Sequence, residues 1–84
     1  MFVVARTTPR RIHEVAAYLY GGQTIVRTDI PVEFGSVVAI VESAHGLAGN
    51  MLADRLSSGM IGASKFETLA EAEEYIRTEL RGEL

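Results

Sequence analysis

The chain has no cysteine, no tryptophan, only two prolines, and eight basic residues against eleven acidic ones. Each shortage excludes something. Without cysteine there is no disulfide, no thiolate zinc site and no cysteine nucleophile. With a net charge of −3 and a pI near 5.3, a nucleic-acid partner is not expected, because such binding rests on a basic footprint. No apolar run approaches the roughly 20 residues of a membrane-spanning helix. The run at 37–41, Val-Val-Ala-Ile-Val, is five residues long. The start of the sequence, Met1-Phe2-Val3-Val4-Ala5-Arg6, lacks the charged-then-apolar order of a signal peptide, so a cytoplasmic location is expected.

What is present suits a small globular domain. The composition is 48% hydrophobic and 23% charged, which is not that of a disordered chain. A folded chain of this mass exposes roughly 4,900 Å² and buries about 63% of its unfolded surface. That supports one domain over residues 1–84, with one core and little margin. The charge is local. Residues 1–42 hold four bases and four acids, whereas residues 43–84 hold four bases and seven acids, mostly near the C-terminal end.

Residues 1–6 read as a strand. Thr8-Pro9 follows as a helix start, with threonine as N-cap and proline at the first helical position. Ile12, Val15, Ala16 and Leu19 make one apolar helical face, and Gly21-Gly22 ends it. Residues 23–28 read as a second strand, interrupted at Asp29-Ile30-Pro31. A proline cannot donate to a sheet ladder, so this segment belongs at an edge or in a turn. Residues 36–42 read as the third strand. Its unbroken apolar run does not alternate, which is the pattern of a strand covered on both faces.

Ser43 is placed to cap a second helix, with Leu47, Ala48, Met51, Leu52 and Leu56 as its stripe. Residues 60–66 read as a fourth strand. Thr68-Leu69-Ala70-Glu71 is a capping box. It opens a third helix over residues 69–81, with Leu69, Ala72, Ile76 and Leu80 inward. Glu73 and Arg77 are spaced as an i, i+4 pair, and Gly82 is its C-cap. The order β-α-β-β-α-β-α predicts an α+β fold: a ferredoxin-like βαββαβ unit with a four-stranded antiparallel sheet and an extra C-terminal helix. That helix is expected to cover part of the sheet's second face or to reach a partner.

The stretch from Leu19-Tyr20-Gly21-Gly22 through Glu33-Phe34-Gly35-Ser36-Val37-Val38-Ala39-Ile40-Val41-Glu42 resembles the middle of the small dimeric ferredoxin-like families. It is similar to the GYD-domain group, and more distantly to the ligand-sensing domains of Lrp/AsnC regulators. The Gly-Tyr-Asp signature itself is replaced by Phe34-Gly35-Ser36. The resemblance covers about a quarter of the chain and carries over no functional residue. It implies a fold and a habit of dimerising by sheet packing.

The polar residues supply the candidate sites. The glycine-bearing strand-to-helix turn supplies Ser43, His45, Gly46, Gly49 and Asn50, whose backbone donors at a helix start suit a small anionic ligand. Neither a P-loop nor a dinucleotide fingerprint matches there. His13 and His45 stand at different helix starts without metal-ligand spacing, so no metal or cofactor is expected. Arg6, Arg10 and Arg11 cluster at the first strand-to-helix junction. Arg10 and Arg11 oppose the helix dipole, which suggests an acidic partner such as the glutamate-rich third helix of the same or a neighbouring chain. Val38 and Ile40 complete the expected interface of a homodimer. The sequence therefore predicts a non-catalytic, homo-oligomeric binding or interaction module. The alternatives are a small ferredoxin-like monooxygenase or isomerase using His45 or His13 as acid/base, and a regulatory or phage-type accessory protein docking on a larger complex.

Overall fold

The computed structural model describes residues 1–13, 15, 23–43 and 62–84. Four strands form one sheet: β1 (Phe2–Thr7), β2 (Gln23–Pro31), β3 (Val37–Ser43) and β4 (Gly62–Phe66). One α-helix follows, α1 (Leu69–Thr78). The strand order is β2-β3-β1-β4, and every neighbouring pair is antiparallel. The fold is thus α+β with a four-stranded antiparallel sheet. The expected second helix, the later part of the first, and the stop at Gly21-Gly22 lie outside the described residues.

The sheet has two apolar faces, and the chain covers both. Val3, Ala39 and Val41 pack with Ile12 and Val15 on one face. Val4, Val38 and Ile40 pack with Ala72, Ile76 and Leu80 on the other. The register explains the split. Val4 stands opposite Ile40 and Val3 opposite Val41, so the pleat sends alternate side chains of both central strands to opposite sides. Residues 38–41 are all 0% exposed, so the unbroken apolar run of β3 is a strand buried on both faces, as the sequence pattern predicts. The accessible surface, 4837 Å², matches that of an independent folded domain of this mass.

The inward stripe of α1 is the predicted one. Leu69, Ala72, Ile76 and Leu80 all belong to the cluster on β1 and β3. Burying a side chain such as Ile76 contributes about 1.5–3 kcal/mol. The cap forms too. The Thr68 hydroxyl accepts from the Glu71 N–H at 3.1 Å and donates to the Glu71 carboxylate at 3.0 Å.

Three local expectations are corrected. Residues 9–13 form turns rather than helix. Arg11 N–H donates to the Thr8 carbonyl at 3.0 Å, which makes Pro9 the second residue of a β-turn, a position its fixed φ suits as well as a helix start. The strand does not stop at Thr28. β2 runs on through Pro31, with Asp29 at φ 56 and register shifts on both sides of Arg27. Because β2 is an edge strand, Pro31 forfeits no ladder bond on its outer side. The helix ends at Thr78, not at residue 81.

That ending anchors the C-terminal segment. Gly82 N–H donates back to the Ile76 carbonyl at 2.7 Å, and Arg81 takes the left-handed conformation at φ 51. The bond reaches back six residues, one further than the six-to-one bond of the common helix-terminating motif, in which glycine usually occupies the left-handed position. Here glycine stands one residue later, for a different reason. A Cβ at Gly82 would collide with the Ile76 side chain. Glu33 N–H donates to the Leu80 carbonyl at 3.2 Å, and Glu83 N–H donates to the Pro31 carbonyl at 3.0 Å. The end of the chain is thereby tied to the β2–β3 connection, whose 3-10 turn spans Glu33–Gly35.

Left-handed backbone costs a non-glycine residue about 1–2 kcal/mol. The exposed Arg81–Glu33 ion pair at 3.3 Å returns at most about 1 kcal/mol. Arg81→Gly is therefore expected to raise the stability measured by urea unfolding, by up to about 1 kcal/mol. A lower midpoint would show that the ion pair outweighs the strain.

Candidate functional site

β1 alternates in the usual way until Arg6. Phe2 and Val4 face α1, and by parity so does Arg6, a cation on a face otherwise given to the core. Its guanidinium reaches the β2–β3 connection, where Nη2 donates to the Glu33 carbonyl at 3.2 Å. Nε is buried and has no hydrogen-bond partner. Among the described ion pairs none involves Arg6, because the Glu33 carboxylate is held by Arg81. A buried donor without a partner costs about 1–3 kcal/mol, more when charged.

Arg6 lines a cavity of about 140 Å³ between the sheet and the C-terminal helix. Val4, Gly62, Ser64, Tyr75 and Leu80 complete its described walls. Each residue has a structural reason to be there. Arg6 stands opposite Gly62, and Val4 opposite Ser64, across the β1–β4 ladder, so all four positions share the face under α1. Gly62 leaves space beside Arg6, and a Cβ there would meet nothing within 4 Å. Ser64 Oγ donates to the Tyr75 hydroxyl at 3.5 Å, a long contact. The Tyr75 ring is fixed against Phe66, with centroids 5.0 Å apart. The helix termination described above positions Leu80. The described lining thus mixes polar groups, Arg6, Ser64 and the Tyr75 hydroxyl, with the apolar side chains of Val4 and Leu80.

The residues singled out from sequence fall elsewhere. Ser43 closes β3, its backbone opposite Gln23, while His45, Gly46, Gly49 and Asn50 lie outside the described residues. Arg10 and Arg11 are exposed in the turn before Ile12, which packs on the face opposite α1. The acidic helix finds other cations. Glu73 pairs with Arg27 of β2 at 3.6 Å, and Arg77 pairs with Glu74 at 3.8 Å rather than with Glu73. The β2 edge thus supplies the base that β1's neighbouring turn was expected to supply. Val38 and Ile40, expected at an interface, are fully buried beneath α1. His13 is exposed and does not line the cavity. Among the described residues, no three metal-ligating side chains converge.

Gly62, Ser64 and Tyr75 were not singled out by sequence reasoning, and Arg6 was read only as part of a basic cluster. The signal for Arg6 was its parity with Phe2 and Val4. No family model, no curated protein and no solved structure matches this chain.

If Arg6 were needed for folding, removing its charge would be costly. The unpartnered Nε argues otherwise. Arg6→Met keeps the stem and removes both the charge and the orphaned donor, and is expected to leave stability within about 1 kcal/mol of the parent chain. A loss above about 3 kcal/mol in urea unfolding would make the Glu33 bond the purpose of Arg6.

Proposed function

We propose that the protein is a small, non-catalytic ligand-binding module, and that its site is the cavity beneath α1. The observation that carries this reading is Arg6 in a cavity wall, a cation with one described hydrogen bond, no described ion pair and a buried Nε without a partner. Structural arginines are retained with their donors satisfied. One that is left short, beside two hydroxyls and a glycine that keeps space open, suits a site whose remaining partner is a ligand.

The fold reading that accompanies it is the ferredoxin-like one. The antiparallel order β2-β3-β1-β4 is the order a βαββαβ chain produces. Ile12 and Val15 cover one face and α1 the other, which fits α1 as an addition to that unit. The homodimer expected from the sequence had two grounds, a second face of β3 in need of cover and the dimerising habit that the resemblance implies. α1 packs on that face of β3, which leaves the second ground. No helix among the described residues is long and apolar enough to cross a membrane. The enzyme reading drew on His13 and His45. Of these, His13 stands in solvent away from the cavity.

Gly62 allows a test that leaves the fold intact. Its backbone is compatible with a side chain, its Cβ direction is open, and it faces the cavity side. A β-branched residue suits a strand. Gly62→Val is expected to keep or raise stability. In amide NMR titrations with small organic molecules of about benzene's size, the parent chain is expected to shift Val4, Arg6, Ser64 and Leu80 together. The variant is expected to lose those shifts. Shifts that persist in Gly62→Val, or that cluster elsewhere, would remove the cavity as the site.

A further inference from the structure

From the lining of the cavity we infer the ligand's chemistry, an inference that rests on the cavity being the binding site: a small organic monocarboxylate with an apolar body.

Three observations converge. The first is charge. A guanidinium offers five donors in a planar fork that matches a carboxylate. One Nη of Arg6 is committed to the Glu33 carbonyl, and Nε has no partner. No described carboxylate pairs with the guanidinium, and its second Nη has no described bond. An anion entering the cavity would pair with that nitrogen.

The second is the pair of hydroxyls. When Ser64 donates to Tyr75, the Tyr75 hydroxyl keeps its own proton for another acceptor. A carboxylate has two oxygens, so one can face the guanidinium and the other the tyrosine hydroxyl. A neutral amide of the same shape would turn an NH₂ group toward one of those donors. The described walls of the cavity hold donors but no carboxylate to accept from it.

The third is the size and lining of the remainder. About 140 Å³ is close to the volume of a protein cavity that holds benzene, and Val4 and Leu80 give it an apolar wall. Inorganic phosphate or sulfate would leave that wall without an apolar partner and carry more charge than one guanidinium offsets. A dinucleotide or a peptide segment is far too large.

The test is a titration of the full chain, followed by amide NMR and calorimetry, with benzoate, benzamide and inorganic phosphate as probes. Benzoate is expected to bind at least about tenfold more tightly than benzamide and than phosphate. Arg6→Met is expected to remove that preference, bringing benzoate down to the benzamide level. Tyr75→Phe, which keeps the ring packed on Phe66, is expected to weaken benzoate more than benzamide.

The outcomes separate the two claims. If benzamide binds as well as benzoate at the same amides, the cavity is a ligand site but its ligand is not an acid, and the inference fails alone. If phosphate matches benzoate, the site takes oxyanions in general and the apolar wall plays no part, which also overturns it. If none of the three shifts the cavity amides, both the inference and the binding-site reading fall.

Discussion

The fold depends on burying β3 on both faces. A strand of consecutive apolar residues offers a sheet with no wet side, so something must cover each face. In this chain Ile12 and Val15 pack on one face and α1 takes the other. The second cover is what a bare four-stranded sheet of this size would lack. It turns a domain with little burial to spare into one with two core layers. It also explains why the C-terminal segment is fastened so thoroughly. Thr68 caps the helix at its start, Gly82 closes tightly on Ile76 at its end, and backbone bonds link Leu80 and Glu83 to the β2–β3 connection. If the helix lifted, Val38 and Ile40 would be exposed together.

The same arrangement produces the cavity. α1 meets β1 and β3 through Ala72 and Ile76, while on β4 Gly62 has no side chain and Ser64 a small one, which leaves room beside Arg6. β1 contributes Arg6 at that place, on the buried parity of the strand. A folding domain would ordinarily place another valine there, since an apolar residue carries no orphaned donor. The Glu33 carbonyl takes one guanidinium nitrogen and leaves Nε unsatisfied. Such a departure from what the fold alone favours is where function is expected to reside.

Much of the fold was legible because it was local. Proline at the end of β2 spoke for an edge, the Thr68–Glu71 spacing for a cap, and the 69-72-76-80 stripe for a buried helix face. The run in β3 spoke for two covers. The misreadings came where the same residues satisfy two local rules, or where tertiary contacts choose among equal partners. Thr8-Pro9 opens a turn as readily as a helix. Glu73 can pair along the helix or across to β2, and the approach of Arg27 settles it. Gly82 looked like the left-handed residue, whereas its role is to let Ile76 pass. The cavity was beyond sequence reasoning, because it arises from the register that places Gly62 opposite Arg6 and from where the helix stops. The turn bearing His45 attracted attention through its composition, while Arg6 was hidden inside an ordinary-looking strand.

If the chain completes its own core, the protection of β3 is a property of one molecule. Native-state hydrogen exchange at the amides of Val38, Ala39, Ile40 and Val41 measures this directly, because buried central strands exchange only through large openings. Exchange rates at these four amides should not change over a wide range of protein concentration. Protection that grows with concentration would mean that a second copy is needed to finish the burial of β3, contrary to the cover that α1 provides.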